Sequence, residues 1–184
     1  GIDQQYVTAL DKDTGKTVWK TERTTDYGDL DAEGKPTRDG DMRKAYHTPS
    51  VFQIAGQPHL VSVRSRSAFG YDPATGKELW NLPHGGFNAA VRPLQLDDMI
   101  FINTGSERAQ LIGVRTDGAM KGNIAATHTV WNHEKRNASE ACAVIRNGKI
   151  FQITRGGILT CVDAKTGAEV AESRLAGQHL PSPI

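Results

Sequence analysis

The chain holds two cysteines among 184 residues, Cys142 and Cys161, and has neither a Cys-x-x-Cys nor a His-x-x-x-His spacing. That excludes a disulfide-built scaffold and gives no pattern for a zinc site. Charge of one sign is also missing. Lys and Arg number 22 against 21 Asp and Glu, so no bulk field draws the chain to nucleic acid. No apolar run reaches the roughly 20 residues a membrane-spanning helix needs. No segment sustains helical periodicity. The first residues carry no signal-peptide pattern, and with Gly1 rather than Met at the start that has no weight on compartment.

What is present is repetition. Leu10-Asp11-Lys12-Asp13-Thr14-Gly15-Lys16-Thr17-Val18-Trp19 returns as Tyr71-Asp72-Pro73-Ala74-Thr75-Gly76-Lys77-Glu78-Leu79-Trp80. It returns again, without the Trp, as Val162-Asp163-Ala164-Lys165-Thr166-Gly167-Ala168-Glu169-Val170-Ala171. The Asp residues are 61 and then 91 residues apart, and the second interval is about twice 45. A worn copy, Leu111-Ile112-Gly113-Val114-Arg115-Thr116-Asp117-Gly118, stands near its middle, with Trp131 after a longer connection. A period of roughly 40–50 residues with four short strands per unit marks a β-propeller.

The motif has a physical reading. The Asp carboxylate accepts backbone N–H bonds of the next residues, as in an Asx-turn. The Gly supplies a positive φ for a tight hairpin. The outgoing strand then carries a Trp that buries a large ring between sheets. The expected fold class is therefore all-β: a propeller of four-stranded antiparallel blades, three complete and two partial.

The expected strands are 50–54, 60–64, 68–72 and 77–80 in the first complete unit. They are 90–94, 99–103, 110–114 and 129–131 in the second, and 142–146, 149–153, 158–163 and 168–171 in the third. Asn147-Gly148 is the strongest hairpin signal. Met99-Ile100-Phe101-Ile102 is apolar on both faces, as a sheet covered on both sides requires. The single domain divides into the end of one blade (1–23), an inserted loop (24–46), complete blades (47–83, 89–134, 141–175) and the start of another (179–184). These uneven ends predict a piece of a longer protein, or else a small propeller closed by pairing its two ends. Cys142 and Cys161 fall on the first and third strands of one blade. That separates them by about 9.5 Å, beyond the ~7 Å Cα limit for a disulfide, so both are expected free and buried.

The Asp-x-x-Thr-Gly-Lys-x-x-Trp repeat resembles the pyrroloquinoline-quinone-type propeller family over nearly the whole chain. One branch of that family is the quinoprotein alcohol and sugar dehydrogenases. The other is non-catalytic, like the outer-membrane-assembly lipoprotein propellers. Ala90-Val91-Arg92-Pro93-Leu94, Ala126-Thr127-His128-Thr129-Val130-Trp131 and Gly156-Gly157-Ile158-Leu159-Thr160-Cys161-Val162-Asp163 are similar to the second branch. That resemblance implies a periplasmic or extracellular binding scaffold with a protein partner, no nucleic acid, no membrane span, and a lipid anchor only outside this segment. The first branch implies a vicinal Cys–Cys ring, a Trp under the quinone, and Ca²⁺ held by Glu, Asn and Asp. This chain has no adjacent cysteines, and Trp19, Trp80 and Trp131 belong to the repeat or its worn copy. No cofactor, metal or catalytic residue is therefore expected; pyrroloquinoline quinone with Ca²⁺, in a dehydrogenase segment, is the alternative.

Asp97-Asp98 reads as a solvated turn. Asp26, Asp29, Asp31, Glu33, Asp39 and Asp41 offer hard oxygen ligands, but without EF-hand spacing they read as a solvated loop. Asn137-Ala138-Ser139 fits a glycosylation acceptor in a eukaryotic secretory route. The candidate ligand-binding residues are His47, Arg66, Arg92 and Arg155, expected to face the central channel or its mouth. Arg grips carboxylates or phosphates with two parallel bonds, while the competing role is to satisfy channel carbonyls.

Overall fold

The computed structural model describes residues 4–23, 25–106 and 109–182, with the side chains of Arg38, Asp39 and Asp41 left aside. Strands β1 (Tyr6–Leu10) and β2 (Thr17–Glu22) form a hairpin. A meander follows in β3 (Ser50–Ile54), β4 (Gln57–Val63), β5 (Ser67–Tyr71) and β6 (Glu78–Pro83). The next sheet holds β7 (Leu94–Leu96), β8 (Met99–Asn103), β9 (Leu111–Arg115) and, later, β11 (Thr129–His133). Between β9 and β11 lie β10 (Gly122–Asn123) and the single-turn helix α1 (Ala125–His128). The last sheet is β12 (Val144–Arg146), β13 (Lys149–Ile153), β14 (Ile158–Asp163) and β15 (Glu169–Arg174). Strands β3 to β6 and each of the two later sheets form antiparallel meanders, and the fold is the expected all-β propeller arrangement.

The core consists of three layers between successive sheets. Val7, Phe69 and Tyr71 fill the first, with Trp19 and Leu60 against them. Ile54, Val61, Val63, Trp80, Ile100, Ile102, Ile112, Val114 and Ile124 fill the second. Met99, Phe101, Leu111, Trp131, Ile150 and Val162 fill the third. Strand β8 shows why its sequence lacks polar alternation. Successive side chains point to opposite faces, so Met99 and Phe101 enter one layer while Ile100 and Ile102 enter the other. The outer strand β15 is exposed along its whole length.

Three expectations shift. The strands expected at 90–94 and 142–146 begin later, at Leu94 and Val144. Pro93 has no N–H for a ladder, and Ala89, Val91, Ala141 and Ala143 are buried as packing in the connections. Cys142 thus precedes its strand and is only partly buried, whereas Cys161 is buried; both are free. Residues 116–128, read as a plain connection, contain β10, which pairs in parallel with β6 and makes the second sheet five-stranded.

The insert departs most. Asp26, Asp31 and Glu33 are exposed, as a solvated loop requires, but Asp29 is 2% exposed and holds Arg43 through both carboxylate oxygens (2.8 and 2.9 Å). Tyr27 and Met42 are buried too, and Thr37–Arg43 forms a 3-10 helix. The side chains of Asp39 and Asp41, also read as part of the solvated loop, lie outside the described residues. So do Pro183 and Ile184 of the expected last unit.

Candidate functional site

Antiparallel meanders sort their loops by end. The β3–β4 and β5–β6 turns lie at one end of the second sheet. The β4–β5 hairpin and the connections between sheets lie at the other, and the next two sheets repeat this order. His47 and Arg92 stand in inter-sheet connections, while Arg66 and Arg155 stand in the β4–β5 and β13–β14 hairpins. The topology therefore brings all four candidates to the connection end. It does not bring them into mutual hydrogen-bonding contact.

Their surroundings differ. His47 turns inward, and its Nε2 accepts the Val63 N–H at 2.8 Å. Burial, then the nearby Arg23 and Arg64 guanidiniums, push it down to about 4, so it is neutral at physiological pH. Arg66 is half-buried at a φ of 68°, and donates to the Gly85 carbonyl at 3.3 Å. It borders a cleft of about 300 Å³ between Thr25 and Asp26 of the insert and Glu78, Asn81 and Pro83 of β6. Arg92 and Arg155 are exposed. Neither forms an ion pair among the described residues.

Two features of this end were missed by sequence reasoning. First, Cys142 occupies the place that Arg92 holds one sheet earlier, two residues before the innermost strand. The Arg92 N–H points to Cys142 Sγ at 3.5 Å, and the Cys142 N–H donates to Ser182 Oγ at 2.9 Å. The 50-residue offset between Arg92-Pro93-Leu94 and Cys142-Ala143-Val144 was the available signal.

Second, the insert closes over a basic cluster. Arg23, directly after β2, is 5% exposed and donates from Nη2 to Ser62 Oγ at 2.9 Å. Its guanidinium lies 5.5 Å from the Phe69 ring centre and 5.8 Å from that of Tyr71. Arg64 donates to Gln5 Oε1 and, at 3.4 Å, to the Arg43 carbonyl. Ser65 Oγ donates to the Lys44 carbonyl at 2.6 Å, tying the insert to the β4–β5 hairpin. No local motif announces such a cluster, because its members come from the residue after β2, the insert, and the β4–β5 hairpin and strands of the next sheet.

The described residues do not fit a quinone site. Trp19 Nε1 donates to the Pro73 carbonyl at 2.9 Å, Trp80 Nε1 to His59 Nδ1 at 3.0 Å, and Trp131 Nε1 to the Ala164 carbonyl at 3.1 Å. Each indole is committed to packing within or between sheets. The cysteines are not adjacent, and among the described residues no three His, Cys, Asp or Glu side chains are grouped to hold a metal. Asp97-Asp98 is an exposed turn, as expected. Asn137 is buried and donates to the Ala109 and His133 carbonyls at 2.8 and 2.7 Å, so its amide is closed to a glycan.

Solved structures with this arrangement come from both branches of the family. BamB from Moraxella catarrhalis superposes with a TM-score of 0.60 at 18% identity, over 93% of this chain and 44% of that one. A europium-containing methanol dehydrogenase gives 0.67 at 15% identity, over 97% and 41%. Quinohemoprotein alcohol dehydrogenase from Comamonas testosteroni gives 0.61 at 12% identity, over 98% and 36%. At these identities the likeness is one of fold. The chain spans less than half the length of each. No curated protein matches it. The family model described as outer membrane protein assembly factor BamB matches residues 3–184, and the chain belongs to that family.

Proposed function

We propose that this chain is a non-catalytic, extracytoplasmic propeller scaffold that binds a protein partner across its connection end. The observation that carries the reading is the gathering of Arg66, Arg92 and Arg155 at that end, with Arg92 and Arg155 exposed and free of ion pairs among the described residues. Exposed guanidiniums suit carboxylates of an acidic segment. His47 supports the end from within by fixing β4, and is not a contact. The family's description as an assembly factor favours a protein partner over a small substrate.

Photo-crosslinking residues placed at Arg92 and Arg155 should give partner adducts in cells. The same residues at Asp97 and Asn147, on the opposite turns, should not. Adducts only at the turn end would overturn the reading. The quinoprotein reading makes a separate demand: the full protein with pyrroloquinoline quinone and Ca²⁺ should reduce a dye with alcohols or sugars. We expect no quinone spectrum and no turnover, because the indoles and cysteines described above are placed elsewhere; stoichiometric quinone binding with turnover would replace the scaffold reading.

A further inference from the structure

The cluster beneath the insert is rich in buried donors that lack an acceptor. Arg23 Nε and Nη1 and Arg64 Nε are buried without hydrogen-bond partners, and so are the Tyr27 and Tyr71 hydroxyls. His47 Nδ1 is in the same condition. Because His47 Nε2 accepts the Val63 N–H, the neutral ring carries its proton on Nδ1, which makes that atom a donor as well. A guanidinium nitrogen never accepts. Among the described side chains, no carboxylate answers this need. Asp29 is taken by Arg43, and exposed Glu78 accepts from Asn81 at 3.0 Å. Among the described residues, neither Arg23 nor Arg64 has an ion-pair partner.

A buried native polar group is ordinarily satisfied, and a buried charge is ordinarily paired. The Phe69 and Tyr71 ring faces attract the Arg23 cation but supply no hydrogen-bond acceptor for its N–H groups. Burial, and then the Arg64 charge, bring Arg23 down to about 10, with Tyr71, Tyr27 and Glu78 acting the other way.

We propose that Arg23, Arg64, Tyr27, Tyr71 and His47 form a buried binding site for one small inorganic anion, a halide or a compact oxyanion. The anion sits between the two guanidiniums, offsets their charge in whole or in part, and fastens the insert through Tyr27 to the second sheet. Arg23 and Arg64 supply charge-assisted bonds, and the hydroxyls and His47 Nδ1 complete the acceptor's shell. The site stands apart from whatever binds at the connection end.

The test is thermal unfolding of the full protein in sodium gluconate, an anion too large for the site. Chloride, bromide, sulfate or phosphate then replaces it at constant ionic strength. One of them should raise the melting temperature saturably by several degrees. The arm that responds tells halide from oxyanion. Tyr71→Phe, which removes one donor and keeps the ring, should weaken the apparent affinity about tenfold. Arg23→Gln should abolish the response. A bromide-soaked crystal should place one anomalous peak beside Arg23 if the halide arm responds; if an oxyanion arm responds, its tetrahedral density should stand there. A response that never saturates, or one that Tyr71→Phe and Arg23→Gln leave unchanged, would overturn the proposal. So would a site filled by water under every salt.

Discussion

Trp19 and Trp131 each lie beneath a turn of the following sheet, and Trp80 does not. A Cβ added at Gly76 would stand 2.4 Å from the Trp19 ring, and one at Gly167 2.5 Å from the Trp131 ring. Both indoles donate to a carbonyl of that same turn, Pro73 or Ala164. The residue two places on adds a second link. Thr21 Oγ1 donates to the Gly76 carbonyl at 2.6 Å, and His133 Nε2 approaches Glu169 at 3.6 Å. At the junction between the second and third sheets the turn is the worn copy. A Cβ at Gly118 would meet only Ala55, at 3.7 Å. Trp80 donates within its own sheet, to His59, and Leu82 takes the place of Thr21 and His133 by packing into the core. A cleft of about 330 Å³ opens beside the worn turn, lined by Ile54, Ala55, Leu79, Gly118 and Met120 among others.

The difference shows what the repeat is for. The Thr-Gly turn receives the Trp of the sheet before it, so the motif locks neighbours together. Where the Thr is lost, the chain runs on and supplies backbone instead. β10 pairs with β6, the Ile124 N–H donates to the Asn81 carbonyl at 2.9 Å, and Ile124 itself is fully buried. Trp131→Ala should therefore cost roughly 3–5 kcal/mol and Ile124→Ala roughly 2–5 kcal/mol in urea unfolding, because each empties the centre of its junction. A loss below about 1 kcal/mol for Trp131→Ala would mean that the turn does not lock the sheets.

The sharpest form of the comparison uses the two glycines. Gly167→Ala must place a side chain at a φ of 72° and against the indole. The left-handed backbone costs roughly 1–2 kcal/mol and overpacking typically 1–3 kcal/mol more. Gly118 has neither constraint, so Gly118→Ala should be neutral or stabilise by about 0.4–1 kcal/mol through the unfolded chain. The unfolding curve should shift to lower urea for Gly167→Ala and stay in place or shift to higher urea for Gly118→Ala. Equal losses would erase the distinction between the junctions.

The repeat turns were legible because their residues are contiguous: Asp, Thr and Gly lie within five positions, and local hydrogen bonds dictate the turn; that a turn receives the Trp of the sheet before it was not, because that partner lies 33 or 54 residues away. The strands followed from alternation and from runs such as Met99–Asn103 that face two layers. The worn junction was not legible, because β10 is two residues long and has no pattern of its own; only its pairing with β6 makes it a strand. The connection end was half legible. Position along the repeat put His47 and Arg92 near the innermost strands of their units, but did not say which way a side chain turns. For His47 the orientation is set by the Val63 N–H, a partner sixteen residues away. The Arg23 cluster was hidden for the same reason, since burial of a charged side chain is decided by what folds over it.

A smaller effect belongs to the hydroxyl of Thr21. Its bond to the Gly76 carbonyl crosses an intact junction, and Thr21→Val keeps the shape while removing the donor. The expected loss is about 1 kcal/mol, the net worth of one such bond. Leu82→Val, at the matching place of the worn junction, removes a methylene from the core and leaves inter-sheet hydrogen bonding untouched. Its loss of roughly 1 kcal/mol should therefore be additive with Trp80→Phe to a degree that Thr21→Val with Trp19→Phe is not. Urea midpoints of the two double-mutant cycles would show it, and equal coupling in both would count against the lock.

The smallest expected effect concerns the turn carboxylates. In Asp11, Asp72 and Asp163 the hydroxyl of Thr14, Thr75 or Thr166, followed by backbone N–H groups, holds the carboxyl below its ordinary 3.8. In Asp117 the leading cause is instead the Ala119 N–H, and His128 comes second. All four favour the charged form in the fold. Each therefore contributes stability that is present above 3.8 and lost as pH falls through the lowered folded value. Carboxyl carbon NMR titrations should separate the two kinds of turn. Thr166→Val should move Asp163 up toward 3.8, since its leading cause is gone. His128→Gln should leave Asp117 still below 3.8, since the leading Ala119 N–H bond remains. If the Thr variant moved nothing while the His variant restored Asp117 fully, the worn turn would be the one held by a side chain, and the comparison would have to be reversed.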